Sequence, residues 1–204
     1  TLDELIERFD LAAVHQGGAV FDRERLEWLD GQWIRRLSPD ELVDRLAPFL
    51  TADLAVLRAS GTAVREPTEG ELRALVPLVQ ERLPVLGAVG GLVDFIFMES
   101  VIVDPEVLVP KRWDPPTTLA GLTDARRVIA DVGAVAYEAD ELEPPLRALC
   151  EARGWKAGDL FMAIRVAVTG RTTAPPLFDS LVALGYERTL ARLDAAREVL
   201  SSAG

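Results

Sequence analysis

Apolar positions recur three and four residues apart along nearly the whole chain, the spacing of one helix face. No stretch alternates as a convincing strand would. In "LDELIERF", Leu2, Leu5, Ile6 and Phe9 form such a stripe. Asp22 stands where it can cap "RERLEWLD". Asp30-Gly31 is expected to interrupt that helix, with "QWIRRL" following as a second short one. Ser38-Pro39-Asp40-Glu41 combines a capping hydroxyl, Pro at the first helical position and Glu three residues after the cap. It opens a helix over "DELVDRLAPFL", and residues 51–66 read as a short helix and a loop. Thr68 and Glu71 make a second capping box for a helix reaching Leu86, which Pro77 and Pro84 bend or split.

The segment 87–98 is apolar and reads as buried. "FIFMESVIV" (95–103) is the best strand candidate and lacks an obvious partner. Pro105, Pro110, Pro115 and Pro116 make "VDPEVLVPKRWDPP" a linker, with a boundary between two helical units near it. Further helices are predicted over 118–132, 144–153, 159–168, 175–184 and 187–200. Gly133, Gly154, Gly170 and Gly185 stand just past four of them, where helices end in a left-handed residue. Thr172 or Thr173 is placed to cap the helix that Pro175-Pro176 begins.

At 204 residues, 49% hydrophobic and 27% charged, the chain can bury a real core as one large unit or two small ones. No apolar run reaches the length of a membrane span. Thr1 in place of an initiator Met reads as an internal position of a longer protein. The single Cys150 allows neither a disulfide framework nor a thiolate metal cluster, so a cytoplasmic setting is expected. The net charge of −11 opposes a generic nucleic-acid binder, which must neutralise phosphates. The acidity is uneven, however. Residues 1–50 carry 6 basic and 11 acidic side chains and residues 51–150 carry 9 and 16, while residues 151–204 carry 7 and 6.

Enzyme motifs are scarce. His15 precedes Gly17-Gly18 and reads as a turn histidine, and Cys150 lies at helical spacing as a small core residue. There is no phosphate-binding loop, nucleophile elbow or dinucleotide fingerprint; "GAVGG" lacks the strand before it and the Lys after it. A self-contained active site is therefore not expected. What stands out is Arg165 within "AIRVAVTG", a permanent cation in an apolar helix. An unpaired buried charge is costly. Either Arg165 makes a structural ion pair, or its planar fork of donors projects to a ligand beside a stiff Pro-Pro loop.

Two blocks carry a resemblance. "AVFDRERLEWLDGQWIR" (19–35) and "AIRVAVTG" followed by "PPLFDSLVALG" (163–170, 175–185) are similar, in the same order, to bacterial glutamyl-tRNA synthetases just after the catalytic core and in their last block. The likeness covers nearly the whole chain, loosely in the middle. It implies an all-α fold of two tandem helical bundles: residues 1–25 ending the stem-contact region, 26–104 a first bundle, and 105–204 a second, anticodon-binding bundle. It implies a monomeric fragment that binds tRNA(Glu), or tRNA(Gln) as well in members that charge both, and that binds neither DNA nor membrane. The full enzyme would attach glutamate with ATP and Mg; the catalytic motifs are not in this sequence, so no cofactor is expected here.

By position, Arg165 matches an arginine that contacts anticodon bases. Ala174, Pro175, Leu177 and Phe178 match the loop holding the first two bases, with Ala174 where Thr can stand. Arg82 matches the arginine tied to the third base, Arg147 another RNA-contacting arginine, and Arg25 and Trp28 a basic residue and Trp near the RNA backbone. The sequence departs from the pattern in Arg25 for Lys, Asp30 for Asn and Trp33 for Tyr. The competing reading is a helical protein-interaction module that binds no RNA.

Overall fold

The computed structural model describes residues 2–10 and 21–202, and its described elements are helical. His15 and the turn expected around it lie outside the described residues. In chain order the helices are α1 (Leu2–Arg8), α2 (Arg23–Ile34), α3 (Pro39–Ala59), α4 (Glu69–Val79), a 3-10 turn (Leu86–Ala88), α5 (Val89–Phe97), α6 (Pro105–Leu108), α7 (Pro115–Val132), α8 (Ala139–Arg153), α9 (Ala157–Thr169), α10 (Leu177–Leu184) and α11 (Tyr186–Ser202).

The local signals hold where one turn of chain decides them. Asp22, Ser38 and Thr68 each accept a hydrogen bond from the backbone N–H three residues on, and Glu41 and Glu71 complete capping boxes. Gly133, Gly154, Gly170 and Gly185 all have positive φ. At Gly170 a second constraint applies: a Cβ there would lie 2.8 Å from the Ile102 carbonyl oxygen.

Five expectations need correction. Helix α2 runs through Asp30-Gly31 without a break, and Gly31 is buried against the chain at Leu83, where a Cβ would meet the Leu83 carbonyl oxygen tightly, at 3.3 Å. Helix α3 continues through Pro48 to Ala59, carried by the buried stripe Leu42, Leu46, Leu50 and Leu54. Pro48 lies on the exposed side, as does Asp44, whose carbonyl loses its partner to water rather than to a dry core. Helix α8 likewise begins at Ala139 and contains Pro144 and Pro145, whereas α4 stops at Val79, short of Leu86. The strand candidate is no strand: its first three residues, Phe95 to Phe97, end helix α5, the rest is largely irregular, and among the described residues its pairing is one isolated antiparallel bridge, Val64 to Met98.

The buried side chains form two clusters. One gathers Ile34 to Phe97 from α2 to α5, and the other Leu108 to Leu200 from α6 to α11, with Cys150 inside it. Burial pushes the Cys150 thiol up, as for an inert core cysteine. The clusters meet where α10 lies against α4 and α5 and α9 against α5, with Arg188 and Arg192 of α11 bonding carbonyls of α5.

Candidate nucleic-acid interface

Helix α9 buries Leu160, Ala163, Ile164, Ala167 and Val168 and leaves Phe161 and Arg165, four residues apart, on one partly open face. The helix stops at Gly170 in the left-handed conformation. The chain then loops through residues 171–176 and restarts as α10, with Pro176 as N-cap and no side-chain cap. Neither Thr172 nor Thr173 fills that role, since both are exposed and make no capping bond.

Arg165 has no carboxylate partner among the described residues. Its Nη1 instead donates to the carbonyl oxygens of Ala174 at 3.0 Å and Pro175 at 2.7 Å. Pro175 and Pro176 have no N–H to offer, and this stretch presents carbonyls, which a guanidinium can serve. Half-burial lowers the guanidinium pKa, yet an arginine stays charged at neutral pH. Its remaining donors are not among the buried, unpartnered atoms. The side chain therefore braces the loop with one nitrogen, Nη1.

The loop continues into an aromatic platform. Phe161 and Phe178 meet edge to face, with ring centroids 5.2 Å apart at 85°, and the Arg147 guanidinium lies 5.4 Å from the Phe161 ring centre. Arg147 also pairs with Glu143 in the preceding turn, an exposed ion pair that is easily exchanged for another anion. The structure thus brings together Arg147, Arg165, Ala174, Pro175, Leu177 and Phe178. Leu177, 5% exposed, is part of the second core and Pro175 is buried, so the outward surface here is main chain with the half-buried Ala174 and Phe178. Phe161 was missed by sequence reasoning; its spacing of four from Arg165 was the available signal.

The other three predicted residues stand elsewhere. Arg82 and Trp28 line a separate cleft with Glu24, Glu27, Arg35 and Pro84, where Arg82 donates to the Leu78 carbonyl at 3.1 Å. Arg25 is exposed one turn before Trp28 and its side chain has no partner among the described residues. Among those residues no group of three or more His, Cys, Asp or Glu could hold a metal ion, and no helix is long and apolar enough to cross a membrane.

Residues 41–197 match the family described as "Anticodon binding domain". A glutamate–tRNA ligase of Roseiflexus sp. (strain RS-1) is 47% identical over 203 residues, and one of Herpetosiphon aurantiacus is 40% identical over 206. These matches cover 98% and 100% of the chain but 38% and 40% of those relatives, so the chain spans about two fifths of their length. The crystal structure of a glutamate tRNA ligase from Elizabethkingia meningosepticum, in complex with its amino acid, superposes with a TM-score of 0.74 at 25% identity, over 98% of this chain and 37% of that one. A glutamate–tRNA synthetase from Elizabethkingia anophelis, at 22% identity and a TM-score of 0.70, shares the fold over 97% of this chain and 36% of that one.

Proposed function

The chain belongs to the anticodon-binding-domain family, and from that premise we propose that it reads the anticodon of tRNA(Glu) for a glutamate–tRNA ligase whose catalytic part lies outside this sequence. The observation that carries the reading is the loop braced by Arg165 beside the Phe161–Phe178 pair. Proteins that read RNA sequence take single-stranded loops, splaying the bases onto aromatic faces and bonding their exposed edges. A half-buried arginine on a rigid helix, carbonyls fixed by that same arginine, and two half-buried aromatic rings support that reading. Arg147 is placed to exchange Glu143 for a phosphate. Arg82 is assigned to the third base, with Trp28 and Arg25 toward the RNA backbone. The rest of the ligase supplies ATP and Mg chemistry, and acceptance of tRNA(Gln) turns on the third base.

The test is a binding titration with tRNA(Glu) transcripts, intact and anticodon-substituted. The intact transcript is expected to bind at least about tenfold more tightly, the scale of one well-placed base contact. Arg165→Ala should erase most of that difference while the helical circular dichroism stays unchanged. Equal affinity of the unaltered chain for both transcripts would favour a protein-interaction module instead.

A further inference from the structure

The loop that follows α9 is fastened at both ends, and one fastening belongs to the other core. At the far end Arg165 holds the carbonyls of Ala174 and Pro175. At the near end the Thr169 hydroxyl accepts from the Arg171 N–H at 3.3 Å. Arg171 then reaches out of its own bundle. Its Nη2 pairs with the carboxylate of Asp94 in α5, and its guanidinium lies 5.6 Å from the Phe95 ring centre. Asp94 is anchored in turn, since its Oδ1 accepts from the Phe95 N–H at 2.6 Å.

The ground under that pair is fixed as well. Arg192 of α11, 4% exposed, donates from Nη2 to the carbonyls of Phe95 and Met98, each at 2.6 Å, and from Nη1 to that of Val168. The Phe95 and Val168 carbonyls lie in the last turns of α5 and α9, where carbonyls lack an intrahelical partner and carry the negative ends of the helix dipoles, and Met98 is the C-cap of α5. Arg188 serves the Ile96 carbonyl at 2.9 Å. Gly170 passes so close to Ile102 that no side chain fits. The base-facing loop therefore cannot shift against α5 without breaking the Arg171–Asp94 contact.

We propose that Asp94 and Arg171 are a positioning pair for RNA reading: the first bundle sets the register of the loop that the second bundle presents to the bases. Asp94 lies in α5, outside the surface formed by Arg147, Arg165, Ala174 and Phe178, so it acts through Arg171. The inference rests on the reading under "Proposed function".

The experiment titrates the full chain and its variants with intact and anticodon-substituted tRNA(Glu) transcripts, with thermal unfolding followed in parallel. Asp94→Ala is expected to lose affinity for the intact transcript about tenfold, within the range that residues without ligand contact can exert, and to bind the substituted one as before. The exchanged pair Asp94→Arg with Arg171→Asp should recover most of the discrimination. Should Asp94→Ala unfold, Asp94→Asn carries the same test with a smaller loss, since its amide oxygen still accepts from the Phe95 N–H. A folded variant with unchanged discrimination overturns the proposal, and so does an equal loss for both transcripts, which marks a plain structural staple. A parent chain that does not discriminate at all sinks the anticodon reading itself, and this inference with it.

Discussion

The junction of α5, α9 and α11 and the exposed ridge that each of α1 and α2 presents draw on the same residue types and use them in opposite ways. At the junction Arg192, Arg188, Arg171 and Arg65 each end on a named carbonyl or carboxylate, and Phe95 and Phe97 are fully buried. On the ridge Leu5, Ile6, Phe9 and Trp28 are all more than 60% exposed, and Arg23 makes a surface pair with Glu27. At the junction two helix ends thus converge on one buried and three half-buried guanidinium groups. The ridge offers contact area and little else. Arginine and aromatic content alone would not have distinguished the two; partner supply does.

The sharpest way to break this contrast is Arg192→Met. The substitution keeps bulk and removes the donors for three carbonyls, each costing about 1–3 kcal/mol when left dry. Against this stands the relief of burying a charge, which has already pulled the guanidinium pKa down to about 10, mainly by burial and then by the nearby Arg188. The carbonyl term should win, with a net loss of about 3 kcal/mol, or about 6–12 °C in Tm. Thermal unfolding measures it. An equal or higher Tm would mean that desolvation of the charge outweighed its hydrogen bonds, as in buried ion pairs that hydrophobic residues can replace.

A smaller effect comes from acid. Glu71 caps α4 and receives Arg65, whose guanidinium also lies over Phe97. The Arg65 hydrogen bond above all, against some desolvation, holds the Glu71 carboxyl down at about 2. A carboxyl depressed in the fold stabilises it above the unfolded pKa and loses that contribution as pH falls through the folded one. The window therefore runs from about 4.5 down to about 2. Partial exposure screens the pair, so the change should be modest. Unfolding midpoints in denaturant across that range should fall with pH in the parent and fall less in Glu71→Gln. Identical slopes would remove Glu71 from the account of the junction.

How much of this was legible beforehand follows from the range of each interaction. Caps at Ser38 and Thr68 and the stops at Gly154 and Gly170 are settled within one turn, and the sequence shows them. The continuity of α2 across Gly31, of α3 across Pro48 and of α8 across Pro144-Pro145 depends on which face meets the core, and breakers read alone point the wrong way. Arg165 was visible as an anomaly, but its protein partners are carbonyls nine and ten residues on, so a structural ion pair did not describe it. Asp94 and Arg171 are 77 positions apart, and no local pattern joins them. The family resemblance supplied the loop; only the fold showed that it leans on the other core.

The smallest effect belongs to the ridge. Leu5 sits on an amphipathic stripe as regular as the one in α3, yet it is 65% exposed while Leu50 is fully buried. Burial, not periodicity, determines what a leucine contributes, so Leu5→Ala should move the unfolding free energy by less than about 0.5 kcal/mol, as surface changes do. Chemical denaturation at matched slope decides the point. A loss of about 2 kcal/mol or more, the range for a leucine deleted from a packed core, would show α1 seated against the rest of the chain in solution and would erase the contrast between ridge and junction.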